Sequence, residues 1–416
     1  MDGDQQAPAQ PAGGEGALLG PFLGQVTPGS IRLWLHLEGG APEVFVTVHR
    51  DEKSPPVATT RLAFRKEKLW TDCVTLEGLQ PNTRYAYRLW TNPAHSIPLN
   101  LQGLTTPYLR FRTLPADPNA RIDFVLMSCH NPFDSDDGCD GHAVWVDLLQ
   151  VVSHENNQYV RFAVLGGDQV YSDEFKAELL AERDDAARPA IYLKAYRKFW
   201  SNIHYRRVMA GLPAVMIWDD HEIIDGWGSD VASFKPGTTC FKDEWAALFR
   251  SASSAFAVMQ ASRNPPLLSN DAFDCCFRVG KVGFALLDLR TNRNLLEQRI
   301  MSDAQFDRFK AWMDANKPHM HTLFVVSPVV FSHGPPVVER LATRRWKYVL
   351  TFFELLARFA PWGKGIYARF DQSSGTSATI SAMPGARRTT PIAPTNSSMR
   401  CSDCRTIRRT RSRSSS

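Results

Sequence analysis

The first quarter of the chain has apolar positions that alternate with polar ones in short runs. Residues 30–36, 43–49 and 83–89 follow this pattern, and Gly, Pro and Asn separate the runs. A period of two with frequent turns is typical of antiparallel strands in a β-sandwich. We therefore predict a β-sandwich domain over residues 17–116, after a disordered leader over residues 1–16 that is rich in Gln, Ala, Pro and Gly.

Beyond residue 116, short apolar runs alternate with longer segments, and residues that can carry chemistry follow each run. The runs are 124–127, 162–165, 214–217, 284–287 and 323–326. We interpret them as buried strands of an α/β domain over residues 117–370. In α/β sheets a ligand site lies at the carboxyl ends of the strands, so we expect these polar residues to converge on one edge.

The segment after the third run is the strongest single motif. Asp219, Asp220, His221 and Glu222 are consecutive, and Asp225 follows. A helix cap would need only one acid. Adjacent carboxylates repel each other unless a cation compensates them, so the motif favours a metal site.

The second run is followed by Gly167 and Asp168, with Tyr171 three residues later. A Gly-Asp pair alone indicates a tight turn, because glycine lets the backbone bend sharply. Together with the other strand ends, the pattern instead favours a carboxylate that bridges two cations and a phenolate that binds ferric iron.

The first run is followed by Cys129. Its thiolate would be a suitable soft ligand for iron or zinc. Two alternatives remain open, namely a small buried residue and a nucleophilic thiol assisted by His130 or His142.

The fourth run is followed by Asp288 and Arg290. The planar guanidinium of Arg290 suits a substrate phosphate, and a structural ion pair between Asp288 and Arg290 is an equal alternative. Ser327 and His333 follow the fifth run and carry a weaker signal.

In their order along the chain, these motifs resemble those of the alkaline phosphatase D (PhoD-like) family of calcineurin-like metallophosphoesterases. The resemblance extends over residues 18–370. It implies a fibronectin III-like β-sandwich followed by a calcineurin-like metallophosphoesterase α/β sandwich. Residues 79–85 also resemble the corner of fibronectin III domains in which a tyrosine hydroxyl bonds to nearby backbone.

The resemblance implies two metal ions at the strand ends. Cys129, Asp168 and Tyr171 would hold ferric iron (Fe3+). Asp168 would bridge to a divalent cation that Asp220 also holds, with calcium preferred over zinc or manganese. Asp219 would either bind a metal or support the residues that do.

The family's activity implies metal-dependent hydrolysis of small phosphate esters, as an alkaline phosphatase or phosphodiesterase, by a metal-bound hydroxide. His221 corresponds to the histidine that stabilises the developing charge or the leaving group. Arg290 would assist the phosphate.

The chain departs from the family pattern near its end, where no Gly-Asp-x-His strand follows Phe331. We therefore expect the metallophosphoesterase domain to be C-terminally truncated and residues 371–416 to form a disordered or frameshifted tail. A one-base shift across GC-rich codons can convert residues 374–384 into a stretch that resembles this family, and residues 396–416 into an amphipathic helix, a polar turn and a strand. The alternative function is a catalytically defective product that retains only metal or phosphate binding.

Composition and charge bear on the binding partners and the cellular location of the protein. The formal net charge is +5, and the basic excess lies in the tail, so no nucleic-acid partner is implied. We expect no membrane span, because no run of roughly 18 apolar residues occurs. Eight cysteines without an export signal favour the cytoplasm. We expect a monomer.

Overall fold

The computed structural model describes residues 17–106, 108–133, 141–153, 159–228, 239–293, 300–329 and 379–384. At residues 153, 239–244 and 379–384 only the backbone is described. The predicted leader and most of the predicted tail therefore lie outside the described residues.

Among the residues that the structure describes, the N-terminal part of the chain, called here the β-region, contains seven strands. They are β1 Ala17–Val26, β2 Ile31–Glu38, β3 Glu43–His49, β4 Pro56–Ala63, β5 Thr71–Leu76, β6 Arg84–Trp90 and β7 Leu109–Arg112. They form two sheets, with strand orders β1-β2-β5 and β4-β3-β6-β7. Each pairing within these sheets is antiparallel, as the alternating sequence pattern indicates.

A tyrosine at the start of β6 connects this strand to the preceding turn. The buried Tyr85 hydroxyl accepts a hydrogen bond of 2.8 Å from the backbone N–H of Gln80. This is the type of contact that the corner motif predicts. The assignment of the β-region to the fibronectin III class stays a prediction.

The rest of the described chain, called here the α/β-region, alternates strands with helices. Its elements are β8 Asp123–Met127, α1 Ala143–Ser153, β9 Val160–Leu165, α2 Lys176–Ala181, α3 Arg188–Trp200, α4 Ile203–Gly211, β10 Ala214–Met216, α5 Thr239–Met259, β11 Cys275–Val279, β12 Val282–Leu286, α6 Asp303–Asn316, β13 Thr322–Ser327 and β14 Thr379–Pro384. Strands β8, β9 and β10 form a parallel sheet in the order β10-β9-β8. A second, mixed sheet has the order β11-β12-β13-β14.

Aromatic side chains join the two sheets of the α/β-region. The ring of Phe124 on β8 lies 5.0 Å from the rings of both Phe284 on β12 and Phe324 on β13. The ring of Phe162 on β9 lies 5.3 Å from that of Phe284. The five predicted strands are thus divided between two sheets that share an aromatic core.

Strand β14 lies within the segment predicted to be a disordered or frameshifted tail. It pairs antiparallel with β13, from Thr322 opposite Pro384 to Ser327 opposite Thr379. These six residues therefore depart from the expectation of disorder. Residues 330–378 and 385–416 lie outside the described residues, and truncation stays a prediction.

Helix α4 attaches the α/β-region to the β-region. Asn202 caps the helix through its side-chain oxygen, which accepts the N–H of His204 at 2.8 Å. The buried Arg206 donates to the carbonyl of Leu101 at 2.7 Å. Tyr87 donates its buried hydroxyl to the carbonyl of Ala210 at 2.6 Å. Among the described residues, no helix has the length and apolar character needed to cross a membrane.

Candidate metal centre

The three parallel strands deliver their following residues to one place. The N–H of Cys129, after β8, donates to the carbonyl of Gly167 at 3.0 Å, and the N–H of His130 donates to the carbonyl of Asp168 at 2.7 Å. The backbones after β8 and β9 are thereby joined. This arrangement places the loops at the carboxyl edge of the sheet, where α/β folds bind ligands.

The backbone at this edge adopts conformations that few residues favour. Cys129 and Asp168 have positive φ angles of 60° and 55°. Gly167 has φ +112°, and a Cβ atom there would lie 2.6 Å from the Cβ of Asp219. Such conformations persist when the surroundings fix them, and they are frequent at functional sites.

Glu222 holds the loops after β9 and β10 together. One of its carboxylate oxygens accepts the N–H groups of Asp168 at 3.0 Å and Asp219 at 2.9 Å. The other accepts the N–H of Gln169 at 2.7 Å and the side-chain amide of Gln260 at 3.1 Å. Glu222 is itself buried, so it acts as a structural clamp behind the site.

Three buried aspartates form an acidic cluster in front of this clamp. Burial, together with the charges of Asp219 and Glu222, raises the pKa of Asp168 well above its usual range. Burial also raises the pKa of Asp219 to about 7, against the opposing effect of Arg290. Burial would raise the pKa of Asp220 too, but the charges of Arg290 and other neighbours outweigh it and lower this pKa.

Arg290 is a buried cation that contacts the cluster. Its guanidinium donates to Asp219, to Asp220 at 3.1 Å and to the carbonyl of Trp227 at 2.7 Å. The side chain is therefore engaged by carboxylates of the site, and the contact with a substrate phosphate stays a prediction. It orients Asp219 and Asp220 and offsets part of their charge.

The alternative of an ion pair between Asp288 and Arg290 differs from the structure. Asp288 accepts the indole N–H of Trp218 at 2.8 Å and the backbone N–H groups of Phe273 at 2.8 Å and Arg290 at 3.0 Å. It thus fixes the loop after β12 through backbone contacts.

Asp168, Asp220 and His221 meet the geometric requirement for holding a metal ion. One potential ligand atom from each of them lies within 4.8 Å of the others. Cys129 extends this group, since its Sγ lies 3.4 Å from Oδ2 of Asp168. Carboxylate, imidazole and thiolate groups together suit a transition metal beside a second cation.

Tyr171 lies next to this group. Its ring centroid is 4.2 Å from that of His221. Burial and the charge of Asp168 raise the pKa of Tyr171 well above its usual range. The phenolate expected from the sequence would therefore need a strongly charged cation beside it.

His221 has a partner that sequence reasoning missed. Its Nδ1 bonds to the carboxylate of Asp173, which follows Tyr171 by two residues. Burial alone would lower the pKa of His221, but the Asp173 hydrogen bond and the charge of Asp168 raise it to about 9. The imidazole is thus oriented by a carboxylate, and Nε2 is left for chemistry. No sequence motif marked Asp173, which lies two residues after Tyr171.

The thiol-nucleophile alternative finds no support in the position of His130. Its Nδ1 accepts the indole N–H of Trp145 at 3.2 Å, and its Nε2 bonds to the carbonyl of Phe199 at 3.1 Å. Both ring nitrogens are thereby used in an aromatic core, and neither bonds to the Cys129 thiol. Of the two weaker signals, Ser327 donates to the carbonyl of Val329 at 2.6 Å, and His333 lies outside the described residues.

Comparisons with known proteins show to which proteins this chain is similar. Residues 124–320 match the model of the PhoD-like phosphatase family. A solved structure of PhoD matches with a TM-score of 0.56 and 15% identity, over 85% of this chain and 70% of that one. At this identity the likeness shows the fold.

A yeast relative matches a smaller share of the chain. The uncharacterized protein YGR266W of Saccharomyces cerevisiae is 25% identical over 189 residues, which represent 36% of this chain and 26% of the yeast protein. The chain thus spans about a quarter of the length of that relative. The family match over residues 124–320 and the fold shared with PhoD identify a PhoD-like phosphatase domain within this chain.

Proposed function

We propose that the chain hydrolyses phosphate esters at the acidic cluster, with metal ions held by the residues that follow β8, β9 and β10. One observation carries the proposal. Asp168, Asp219, Asp220 and Glu222 are all buried within one cluster, and Arg290 is the buried cation that pairs with it. A buried excess of negative charge of this kind is expected where cations bind.

The proposed metal ligands follow from the side chains that meet. Cys129, Asp168 and Tyr171 would hold ferric iron, and Asp168 and Asp220 would hold a divalent cation such as calcium. Bound metal ions would neutralise charge on a substrate phosphate and lower the pKa of a nearby water. The short distance between Cys129 Sγ and Asp168 Oδ2 supports shared coordination.

His221 would supply a proton to the leaving group. The hydrogen bond from Nδ1 to Asp173 fixes the ring, and the carboxylate of Asp173 favours the protonated form of the imidazole. A proton held on Nε2 can then pass to the oxygen of the departing alcohol. Asp173 is a positioning residue in this account.

Asp219 and Arg290 would support the site without contacting substrate. Each binds the other, and Arg290 also reaches Asp220. This pairing would keep Asp220 ionised and correctly oriented for a cation. We therefore propose Arg290 as a positioning residue in place of the phosphate contact that the sequence suggested.

The experiment is hydrolysis of p-nitrophenyl phosphate and bis(p-nitrophenyl) phosphate by purified protein supplied with iron and calcium. We expect turnover that a chelator abolishes and that Asp168→Asn lowers by at least about a hundredfold. Asp307→Asn, an exposed aspartate on α6, is the matched control and should keep full activity. Metal binding without turnover would favour the binding-only alternative over hydrolysis.

A further inference from the structure

A second concave site lies at the opposite edge of the parallel sheet from the metal centre. It is a cavity of about 570 Å³. Its lining includes Val160 and Arg161 at the start of β9, whereas Asp168 follows the end of that strand. At roughly 3.3 Å per strand residue, the two sites are about 20 Å apart.

The lining of this cavity is strongly basic. Its five arginines come from both parts of the chain, and no acidic residue is among the described residues that line it. They are Arg84, Arg110 and Arg112 from β6 and β7, Arg161 from β9 and Arg207 from α4. We call this site the arginine cavity.

The strand register brings like charges together here. Arg84 lies directly opposite Arg112 in the pairing of β6 with β7, and Arg110 lies on the same face two residues away. Directly opposed like charges destabilise a sheet. Such an arrangement suggests that an anion compensates for the cost.

Among the described residues, three of these five guanidinium groups have no side-chain partner. Arg110 pairs with Glu52, while the side chains of Arg84, Arg112 and Arg207 make no hydrogen bond or ion pair with the part of the chain that the structure describes. Arg161 is only 6% exposed; its Nη2 donates to Asn82 at 2.9 Å, but its Nε is a buried donor that finds no acceptor there.

The titration of these groups agrees with the geometry. Burial, and then the charge of Arg84, lowers the pKa of Arg112. Burial, and then the charge of Arg112, lowers the pKa of Arg161 to about 10. The three guanidiniums therefore repel one another in the absence of a counter-ion.

We propose that the arginine cavity binds a small ligand that carries several phosphate groups. Guanidinium groups bind phosphate oxygens through paired hydrogen bonds. The volume falls within the range of about 300–1,000 Å³ that is usual for small-molecule pockets. Because the β-region and the α/β-region both contribute arginines, the ligand would also connect them. This site is independent of the proposed hydrolysis.

The test is titration calorimetry with tripolyphosphate as the probe, at fixed ionic strength. We expect Arg84→Gln/Arg112→Gln to weaken binding by at least about tenfold, since each charge-assisted hydrogen bond contributes roughly that factor. Arg65→Gln/Lys66→Gln removes the same charge from exposed positions and should bind as the wild type does. Arg207→Gln, exposed on α4, is a second variant with the same expected loss.

Three results would overturn the proposal. The first is equal affinity in the wild type and in the cavity variants. The second is binding that persists in the cavity variants and disappears in Asp220→Asn, because the probe would then occupy the metal centre. The third is competition by single-stranded DNA at equal phosphate concentration, which would contradict a small-ligand site. Inorganic phosphate should bind more weakly than tripolyphosphate, because it can contact fewer of the arginines.

Discussion

Glu222→Gln is the substitution that most directly tests how the site is built. The carboxylate accepts four hydrogen bonds, from the N–H groups of Asp168, Gln169 and Asp219 and from the amide of Gln260. A glutamine retains one acceptor oxygen and turns the other into a donor. Two of the four donors would then face an N–H₂ group.

The loss in the free energy of unfolding of Glu222→Gln follows from these contacts. Replacing a charged acceptor by a neutral one weakens each retained bond by about 1 kcal/mol. The Gln260 amide can rotate so that its Oε1 accepts from the new amide at position 222, and this contact is then kept. In the wild type this Oε1 is buried and has no partner among the described residues. The N–H of Gln169 would remain unsatisfied, at a cost of about 1–3 kcal/mol. Loss of a buried negative charge offsets part of the sum, so we expect about 3 kcal/mol of destabilisation.

The assay is urea unfolding of the chelator-treated protein, paired with metal titration of the same variant. Metal affinity should fall by about 10–100-fold, because Glu222 positions Asp168 and Asp219 from behind. Glu77→Gln, an exposed site in the β-region, is the matched control and should change stability by less than about 0.5 kcal/mol. Wild-type stability together with wild-type metal affinity in Glu222→Gln would refute the clamp.

Three further predictions concern the site and its supports. Arg290→Gln leaves two buried carboxylates without their cation, so urea unfolding should show a loss of about 3–5 kcal/mol, with Arg65→Gln unchanged. Gly167→Ala places a methyl group 2.6 Å from the Asp219 side chain at a backbone position with positive φ, so isothermal titration should show weaker metal binding. Metal affinity equal to that of the wild type would contradict the packing described for Gly167. Burial and the neighbouring Arg197 hold the pKa of His36 at about 4, below its usual 6.5. The contribution of His36 to the free energy of unfolding should be complete above pH 6.5 and should decline as the pH falls towards 4. Between pH 7.5 and pH 5, the free energy of unfolding of the wild type should therefore fall by about 2 kcal/mol more than that of His36→Gln.

The reason for the His36 prediction lies in its two hydrogen bonds. Nδ1 bonds to the carbonyl of Leu69 at 2.9 Å, and Nε2 meets the guanidinium of Arg197 at 3.1 Å. Nε2 must therefore be an acceptor, and a proton there would face a cation. Equal acid sensitivity in the wild type and His36→Gln would show that another group controls unfolding in this range.

The sequence predicted the parts of the site that follow directly from local pattern. Asp168 and Asp220 each lie just after a buried parallel strand, and such strand ends share an edge of the sheet. The proximity of these carboxylates to Cys129 and His221 in the structure has this origin. Short apolar runs bounded by polar residues were sufficient to locate those strands.

Other features depend on tertiary contacts that no local pattern encodes. The periodicity of a strand does not specify its sheet, so no local pattern assigns the five predicted strands to the two sheets. The engagement of Arg290 depends on residues about 70 positions away, Asp219 and Asp220. Asp173 carries no motif, and the arginines of the cavity are dispersed between Arg84 and Arg207. Only the folded register brings them together.

The most direct test of the account is the metal content of the intact chain after loading with iron and calcium and removal of free metal, measured by plasma mass spectrometry. We predict two metal ions per chain in the wild type and in Asp307→Asn, and at most one in Asp220→Asn, which removes a ligand of the divalent site alone. A wild-type chain that retains no metal, or an Asp220→Asn variant that retains as much as the wild type, would contradict the proposal that the acidic cluster is a metal centre.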